Sequence, residues 1–235
     1  MRPAISFWTR LFDLIAPRCC VVCGRRLSIT EEVICLTCNR HLPRTGFQKN
    51  PYENEMAKMF WHLMPIERAA ALFFYESHSE VCNIIYELKY NDYPEVGVIM
   101  GRQMAKEFEE SHFFDGIDAI IPIPLAKKRE RERGYNQSEK IAEGIHEVTG
   151  IPVMDQMVKR SRFDSSQTRL NRWERLENVE HLYQPTQETE QLQGKHILLV
   201  DDVVTTGATV LACADCLKHI PHIRFSVISL GYTHE

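Results

Sequence analysis

Two clusters of residues have types and spacing that could do chemistry. The first is Asp201-Asp202-Val203-Val204-Thr205-Thr206-Gly207-Ala208-Thr209, which sets two adjacent carboxylates a few residues ahead of a hydroxyl-rich loop. Gly207 permits close backbone approach, and a helix opening at Ala208 would turn unpaired N–H groups and a favourable dipole toward an anion such as phosphate. Threonines capping that helix would explain one hydroxyl but not two carboxylates. The second cluster is Cys20-Val21-Val22-Cys23 with Cys35-Leu36-Thr37-Cys38, two CxxC pairs with eleven residues between them. Two such knuckles complete a tetrahedral four-thiolate zinc site, structural because no coordination position stays open. A pair of disulfides is the alternative, disfavoured in a chain without an export signal. Cys19 could replace Cys20 at a looser spacing, and His41 is a weaker substitute. Cys213 and Cys216 form a further CxxC within a helical pattern and without a partner pair, which reads as small buried helix residues.

The elements that must position these groups follow from hydrophobic periodicity. The chain has 235 residues, 44% apolar and 26% charged, with a net charge of -4. That is enough for one large domain, or a medium domain with a small accessory module. No apolar run approaches the roughly 20 residues of a membrane span, so no membrane insertion is expected. Trp8, Leu11, Phe12 and Ile15 fall at helical spacing, while Arg10 and Asp13 interrupt any signal-peptide core, so a short amphipathic helix and a cytoplasmic product are expected. Ala69 to Tyr75 reads as a strand, and Val81, Ile84, Ile85 and Leu88 mark an amphipathic helix. Met100, Met104, Ala105 and Phe108 mark a second helix, Asp118 to Pro124 a short strand ending in prolines, and Ile141, Ile145 and Val148 a third helix closed by Gly150. Further strands are expected over Ile151 to Val158, Ile197 to Val200 and Ile223 to Leu230, with a helix from Ala208 to Leu217. Gln184 to Gly194 reads as an exposed connection. Strands separated by helices imply an α/β fold with a parallel sheet covered on both faces. Asp201 to Gly207 would lie at the carboxyl end of a strand, where such sheets bind ligands.

Charge is unevenly spread. Residues 127–133 carry five basic and two acidic groups, and residues 159–177 carry six and three. This clustering points to an anionic partner, with a solvated loop and an ion-paired helix face as the alternative.

The acidic pair and threonine loop, preceded by Ile197-Leu198-Leu199-Val200, resemble the phosphoribosyl pyrophosphate signature of type I phosphoribosyltransferases. Pro17 with the four cysteines, Leu88-Lys89-Tyr90, Ile121-Pro122-Ile123-Pro124-Leu125, Arg133-Gly134-Tyr135-Asn136-Gln137-Ser138, Gln167, Arg175 and Asn178 extend the likeness. Along nearly its whole length the chain resembles the ComF family of competence-associated, amidophosphoribosyltransferase-like (GntX-like) proteins. That resemblance implies a type I phosphoribosyltransferase fold over residues 60–235 behind a zinc-binding module at 1–48. It implies that Thr205, Thr206, Gly207, Ala208 and Thr209 hold a 5-phosphate and that Asp201 and Asp202 meet the ribose hydroxyls. Arg129, Arg133, Asn136 and Gln137, with Lys89, would hold pyrophosphate alongside magnesium. Lys159, Arg160, Arg162, Gln167 and Arg175 occupy the place of a closing lid, and would equally serve as a nucleic-acid contact.

Three functions are compatible with the resemblance. The first is a competence factor that binds phosphoribosyl pyrophosphate or a related phosphosugar, handles single-stranded DNA in the cytoplasm and works with other competence proteins. An active phosphoribosyltransferase with an unknown acceptor is the alternative, and a sensor of phosphoribosyl pyrophosphate the third. Tyr135, Phe163 and Trp173 stand among the basic segments as stacking candidates. No dedicated nucleophile stands out, leaving Asp201 and Asp202 as the candidate catalytic residues.

Overall fold

The computed structural model describes residues 17–161 and 182–233. Four strands make one sheet: β1 (Ile66–Phe74), β2 (Ala119–Pro122), β5 (His196–Val204) and β6 (Arg224–Tyr232), in the order β1-β6-β5-β2 with every neighbouring pair parallel. The apolar run Ile197 to Val200 is fully buried. Leu198 and Val200 share a core with the helices α3 (Glu80–Tyr90), α4 (Glu95–Glu109) and α6 (Gln137–Thr149). Ile197 and Leu199 share one with α2 (Glu55–Phe60) and α7 (Ala208–Asp215). Two-residue alternation therefore feeds two separate cores, which is why the run from Ile197 to Val200 holds no polar residue.

The cysteine segment closes one side. Cys19 and Arg26 form an antiparallel bridge, α1 (Leu36–His41) follows, and Leu27, Val33, Ile34 and Leu42 join the core that holds Phe73, Ile84 and Met100. Gly24 takes φ 71°, and its N–H donates to the Cys20 carbonyl at 2.8 Å, which makes the tight turn of the first CxxC knuckle.

Several elements differ from the sequence reading. Residues 127–133 form a helix, α5 (Lys127–Arg133), rather than a loop. Lys, Arg and Glu are good helix formers, and Gly134 ends the helix in the left-handed region. None of its residues is buried, so no apolar period announced it. The strand expected over 151–158 is reduced to a bridge between Val153 and Ile120, because a turn at 155–156 breaks the run. Beyond that turn, β3 (Val158–Arg160) pairs antiparallel with β4 (Tyr183–Pro185). The polar stretch 184–194 is not wholly exposed: a 3-10 helix over Gln187–Leu192 buries Thr189 and Leu192. Finally, β5 runs on through Asp201 to Val204, and α7 stops at Asp215.

Helices α4 and α6 touch through glycine. A Cβ on Gly144 would meet the Val98 carbonyl and lie 2.7 Å from the Arg102 amide nitrogen, and one on Gly101 would meet the Ile141 carbonyl. An exposed helix glycine is ordinarily improved by alanine by about 1 kcal/mol. Here backbone meets backbone, so the sign reverses. Gly144→Ala is expected to destabilise the protein by about 3 kcal/mol, lowering Tm by roughly 6–12 °C in a thermal melt; an unchanged or raised Tm would contradict this packing.

Candidate functional site

The acidic pair sits within β5, where Asp201 is opposite Ser229 of β6. Alternation turns Asp202 toward α3. Its Oδ2 lies 2.9 Å from Lys89 Nζ, in an ion pair whose side chains are only 14% and 22% exposed. Asp201 Oδ1 accepts the Asp202 N–H at 2.8 Å and the Ser138 hydroxyl at 3.5 Å. Burial, and then the negative charge of Asp202, push the Asp201 carboxyl up to about 7 against those hydrogen bonds and Lys89. The two neighbours thus differ: Asp202 is held by a cation, and Asp201 is poised to change protonation near neutrality.

The loop beyond them is unoccupied by capping. Thr205 and Thr206 are exposed, and the residue that starts α7 is Gly207, at φ 70° and with no side-chain cap. A Cβ on Gly207 would come within 2.7 Å of Met59 Sδ and 2.8 Å of Phe60 Cε1, so α2 packs directly beneath the turn. Glycine is required here twice, for conformation and for space. The threonine hydroxyls remain available to a ligand.

A cavity of about 140 Å³ joins the acidic pair to the basic helix. Lys89, Arg129, Arg133, Asn136 and Gln137 line it together with Asp201, Asp202 and Thr209. Thr205, Thr206, Gly207 and Ala208 lie beside it in the chain and are not part of its wall. The wall residues have different tasks. Asn136 caps α6 by accepting the Ser138 N–H at 3.0 Å, and its amide donates to the Ile123 carbonyl at 3.1 Å and to Glu139 at 3.2 Å. It holds the turn in place. Gln137 accepts from Arg133 Nη1 at 2.8 Å, while its buried Nε2 has no partner among the described residues. A buried amide donor in a charged cavity calls for an acceptor from a ligand. Residues 127–133 make no ion pair among the described residues.

Of the second basic segment, Arg160 lines the cavity, with its guanidinium 5.7 Å from the Tyr183 ring centre, and Lys159 is exposed on the other side of β3. Arg162, Phe163, Gln167, Trp173, Arg175 and Asn178, like the helix expected at Trp8 to Ile15, lie outside the described residues. Tyr135 donates its hydroxyl to the Leu88 carbonyl at 2.8 Å, so it ties the turn before α6 to α3. Ser138 and Tyr183 are wall residues that the sequence reading missed. Ser138 closes a stretch that was quoted for likeness alone, and Tyr183 reaches the site only through the β3–β4 pairing, which no local pattern encodes.

The four cysteines converge. The Sγ atoms of Cys20, Cys23, Cys35 and Cys38 all lie within 4.8 Å of one another. The Cys35 N–H donates to Cys20 Sγ at 3.3 Å and the Cys38 N–H to Cys35 Sγ at 3.4 Å, the donor pattern that steadies thiolates. Against the cost of burial, the Cys38 N–H and the neighbouring thiols bring Cys35 down to about 7. The set fits a four-thiolate metal site and is compatible with zinc. Cys19 is exposed and turned to the Pro17 carbonyl, and His41 Nδ1 is engaged by the Thr37 carbonyl, so neither belongs to the cluster.

The raised Asp201 carboxyl has a stability consequence. Its ordinary value is 3.8 and its folded value about 7, so between those limits the folded state binds more protons than the unfolded one. Stability is therefore lost as pH rises from about 4 to 7. Asp201→Asn keeps the carbonyl acceptor and removes the charge. It should raise stability at pH 8 by on the order of 1–3 kcal/mol and flatten that part of the Tm–pH curve; a wild-type curve without the decline would contradict the assignment.

Comparison with known proteins agrees with this geometry. The Phosphoribosyl transferase domain family matches residues 89–221, which include Lys89, α5, the acidic pair and the threonine loop. The DNA utilization protein YhgH of Salmonella typhi is 26% identical over 217 residues, covering 87% of this chain and 92% of the relative. Competence protein ComFC of Bacillus subtilis is 25% identical over 198 residues, covering 84% and 70%. Competence protein F of Haemophilus influenzae is 28% identical over 115 residues, about half of each chain at 49% and 50%. A solved structure, the glutamine phosphoribosylpyrophosphate amidotransferase of B. subtilis, is similar at a TM-score of 0.41 and 18% identity over 60% of this chain, which spans 30% of that one. With the sheet order, the acidic pair and the threonine turn in place, this chain belongs to the phosphoribosyl transferase domain family.

Proposed function

We propose that this protein binds phosphoribosyl pyrophosphate, or a related phosphosugar or nucleotide, and acts in DNA uptake during natural transformation as a cytoplasmic handler of single strands. The observation that carries the ligand is the composition of one cavity: an acidic pair, an uncapped threonine turn at its edge, and, among the described residues, arginines without a carboxylate partner and a Gln137 amide without an acceptor. Thr205 to Thr209 would receive the 5-phosphate through hydroxyls and the α7 N–H groups. Asp201 and Asp202 would accept ribose hydroxyls, and Arg129, Arg133, Gln137 and Lys89 would meet the pyrophosphate, with Asn136 positioning the turn. Bound magnesium would neutralise pyrophosphate charge. Lys159, Arg160, Arg162, Gln167 and Arg175 would close over the ligand or contact the nucleic acid, in concert with other competence proteins. The DNA role draws on the names of the relatives.

An active phosphoribosyltransferase with an unknown acceptor is favoured by one observation. A carboxyl raised to about 7 at Asp201 is suited to moving a proton, as displacement of pyrophosphate by an N–H or O–H nucleophile would need.

Ligand binding is tested by thermal shift with magnesium and phosphoribosyl pyrophosphate. At about 100-fold excess over Kd the gain is about 2.7 kcal/mol, which for a chain of this size moves Tm by roughly 5–10 °C. Asp201→Asn with Asp202→Asn should abolish the shift, and no shift with any phosphosugar or nucleotide would sink the reading. For the cysteine cluster we propose structural zinc. Metal analysis should find about one zinc per chain, retained in Cys19→Ser and lost in Cys35→Ser; a metal-free wild-type protein purified without chelator would refute it.

A further inference from the structure

The outer side of α3 carries two rings that the fold leaves in solvent. Tyr86 and Tyr90, one turn apart, are 55% and 63% exposed. Their centroids are 5.0 Å apart with planes at 42°, and the Arg133 guanidinium lies 5.3 Å from the Tyr90 centre. Tyr86, Tyr90 and Arg133 thus form a short row of flat groups. A cavity of about 640 Å³ flanks the row on the side of Tyr75 and Asn83, and one of about 630 Å³ flanks it on the side of Arg129. Lys89 lines both of these and the phosphoribosyl cavity. Either flanking cavity can take a planar ring, whereas the 140 Å³ between the acids and arginines cannot take one beside a phosphosugar.

The cations around the row are concentrated on α5. Lys127, Lys128, Arg129 and Arg131 of α5 have no ion-pair partner among the described residues. Acids are also present: Asp92 and Glu132 line the arginine-side cavity, Glu80 the tyrosine-side one, and Glu87 lies on α3 itself. The phosphate-binding capacity is therefore on α5 and the ring-binding capacity on α3. Exposed rings beside unpaired cations recognise a strand whose bases are free to stack and whose phosphates run alongside. A duplex hides those base faces.

We infer that Tyr86 and Tyr90 are a stacking platform for the bases of a single-stranded nucleic acid, whose phosphates lie along α5. The inference rests on the nucleic-acid half of the function proposed above and gives it a surface distinct from residues 162–175. The test is anisotropy titration of the full-length protein with labelled oligo(dT) at several salt concentrations. Tyr86→Ala with Tyr90→Ala should weaken binding about tenfold or more while leaving the salt slope unchanged, and Tyr→Phe at both positions should restore affinity to within about twofold. Lys127→Ala with Lys128→Ala should reduce the slope instead. The tyrosines are exposed, so the melting temperature and the phosphoribosyl pyrophosphate shift should stay as in the wild type. Wild-type affinity in the double alanine variant overturns the platform and leaves the proposed function standing. Failure of the wild-type protein to bind any strand overturns both. Tighter binding of duplex, or an equal loss for thymidine monophosphate, also overturns the platform.

Discussion

Two neighbouring carboxylates can be withdrawn from water together only if cations and N–H groups offset their repulsion, and the carboxyl end of this sheet is arranged around that requirement. Lys89 meets Asp202 at 2.9 Å, the Asp202 N–H meets Asp201 at 2.8 Å, and Ser138 approaches Asp201 from α6. Each partner comes from a different element, so the pair fixes where α3 and α6 stand over β5. The same demand explains the neighbouring turn. On the other side of the pair the turn presents neutral hydroxyls and N–H groups, and Gly207 starts α7 without a side-chain cap.

The cysteine segment is joined to this arrangement through polar contacts as well as shared core. Arg44 binds Glu107 of α4 through two hydrogen bonds of 2.8 and 2.9 Å, donates to the Asn39 carbonyl at 2.9 Å, and lies 4.6 Å from the Phe73 ring centre. Gln103 adds a donor to the same carboxylate. Despite its burial, Glu107 is held below the ordinary carboxylate range by Arg44 and Gln103. A bidentate pair of this kind fixes orientation as well as distance. The module therefore leans on α4, α4 and α6 pack glycine against backbone at Gly101 and Gly144, and α6 begins at the Asn136 cap beside the cavity. The cysteine cluster and the acidic pair are thus joined by a continuous run of packed elements.

Much of the sheet was legible because its information is local. Ile197 to Val200 has no polar residue to place on either face, Gly150 and Gly207 mark helix boundaries, and two CxxC pairs at short range constrain each other. Helix α5 was read as a loop because periodicity detects burial, and this helix buries nothing. Gln, Glu and Thr dominate the neighbourhood of Thr189 and Leu192 and suggest exposure, yet both are buried and Leu192 joins the core that holds Ile197 and Leu199. The break at 155–156 went unseen because the apolar residues on either side suggested one run.

The sequence by itself determined the chemistry available: which groups are acidic, hydroxylic, basic or thiolic, and which strand and turn carry them. It also marked Gly207 as the place where the backbone can turn into the helix, since that conformational freedom is local. Only the tertiary structure decided how those groups divide their work. Asp201 and Asp202 are adjacent and chemically identical, but alternation along β5 hands one to Lys89 and leaves the other rising toward neutrality. Asn136 and Gln137 are adjacent too, but one is consumed as a cap and the other keeps a free donor. Such differences arise from partners dozens of residues away, whose approach is set by the packing of whole helices rather than by any local pattern.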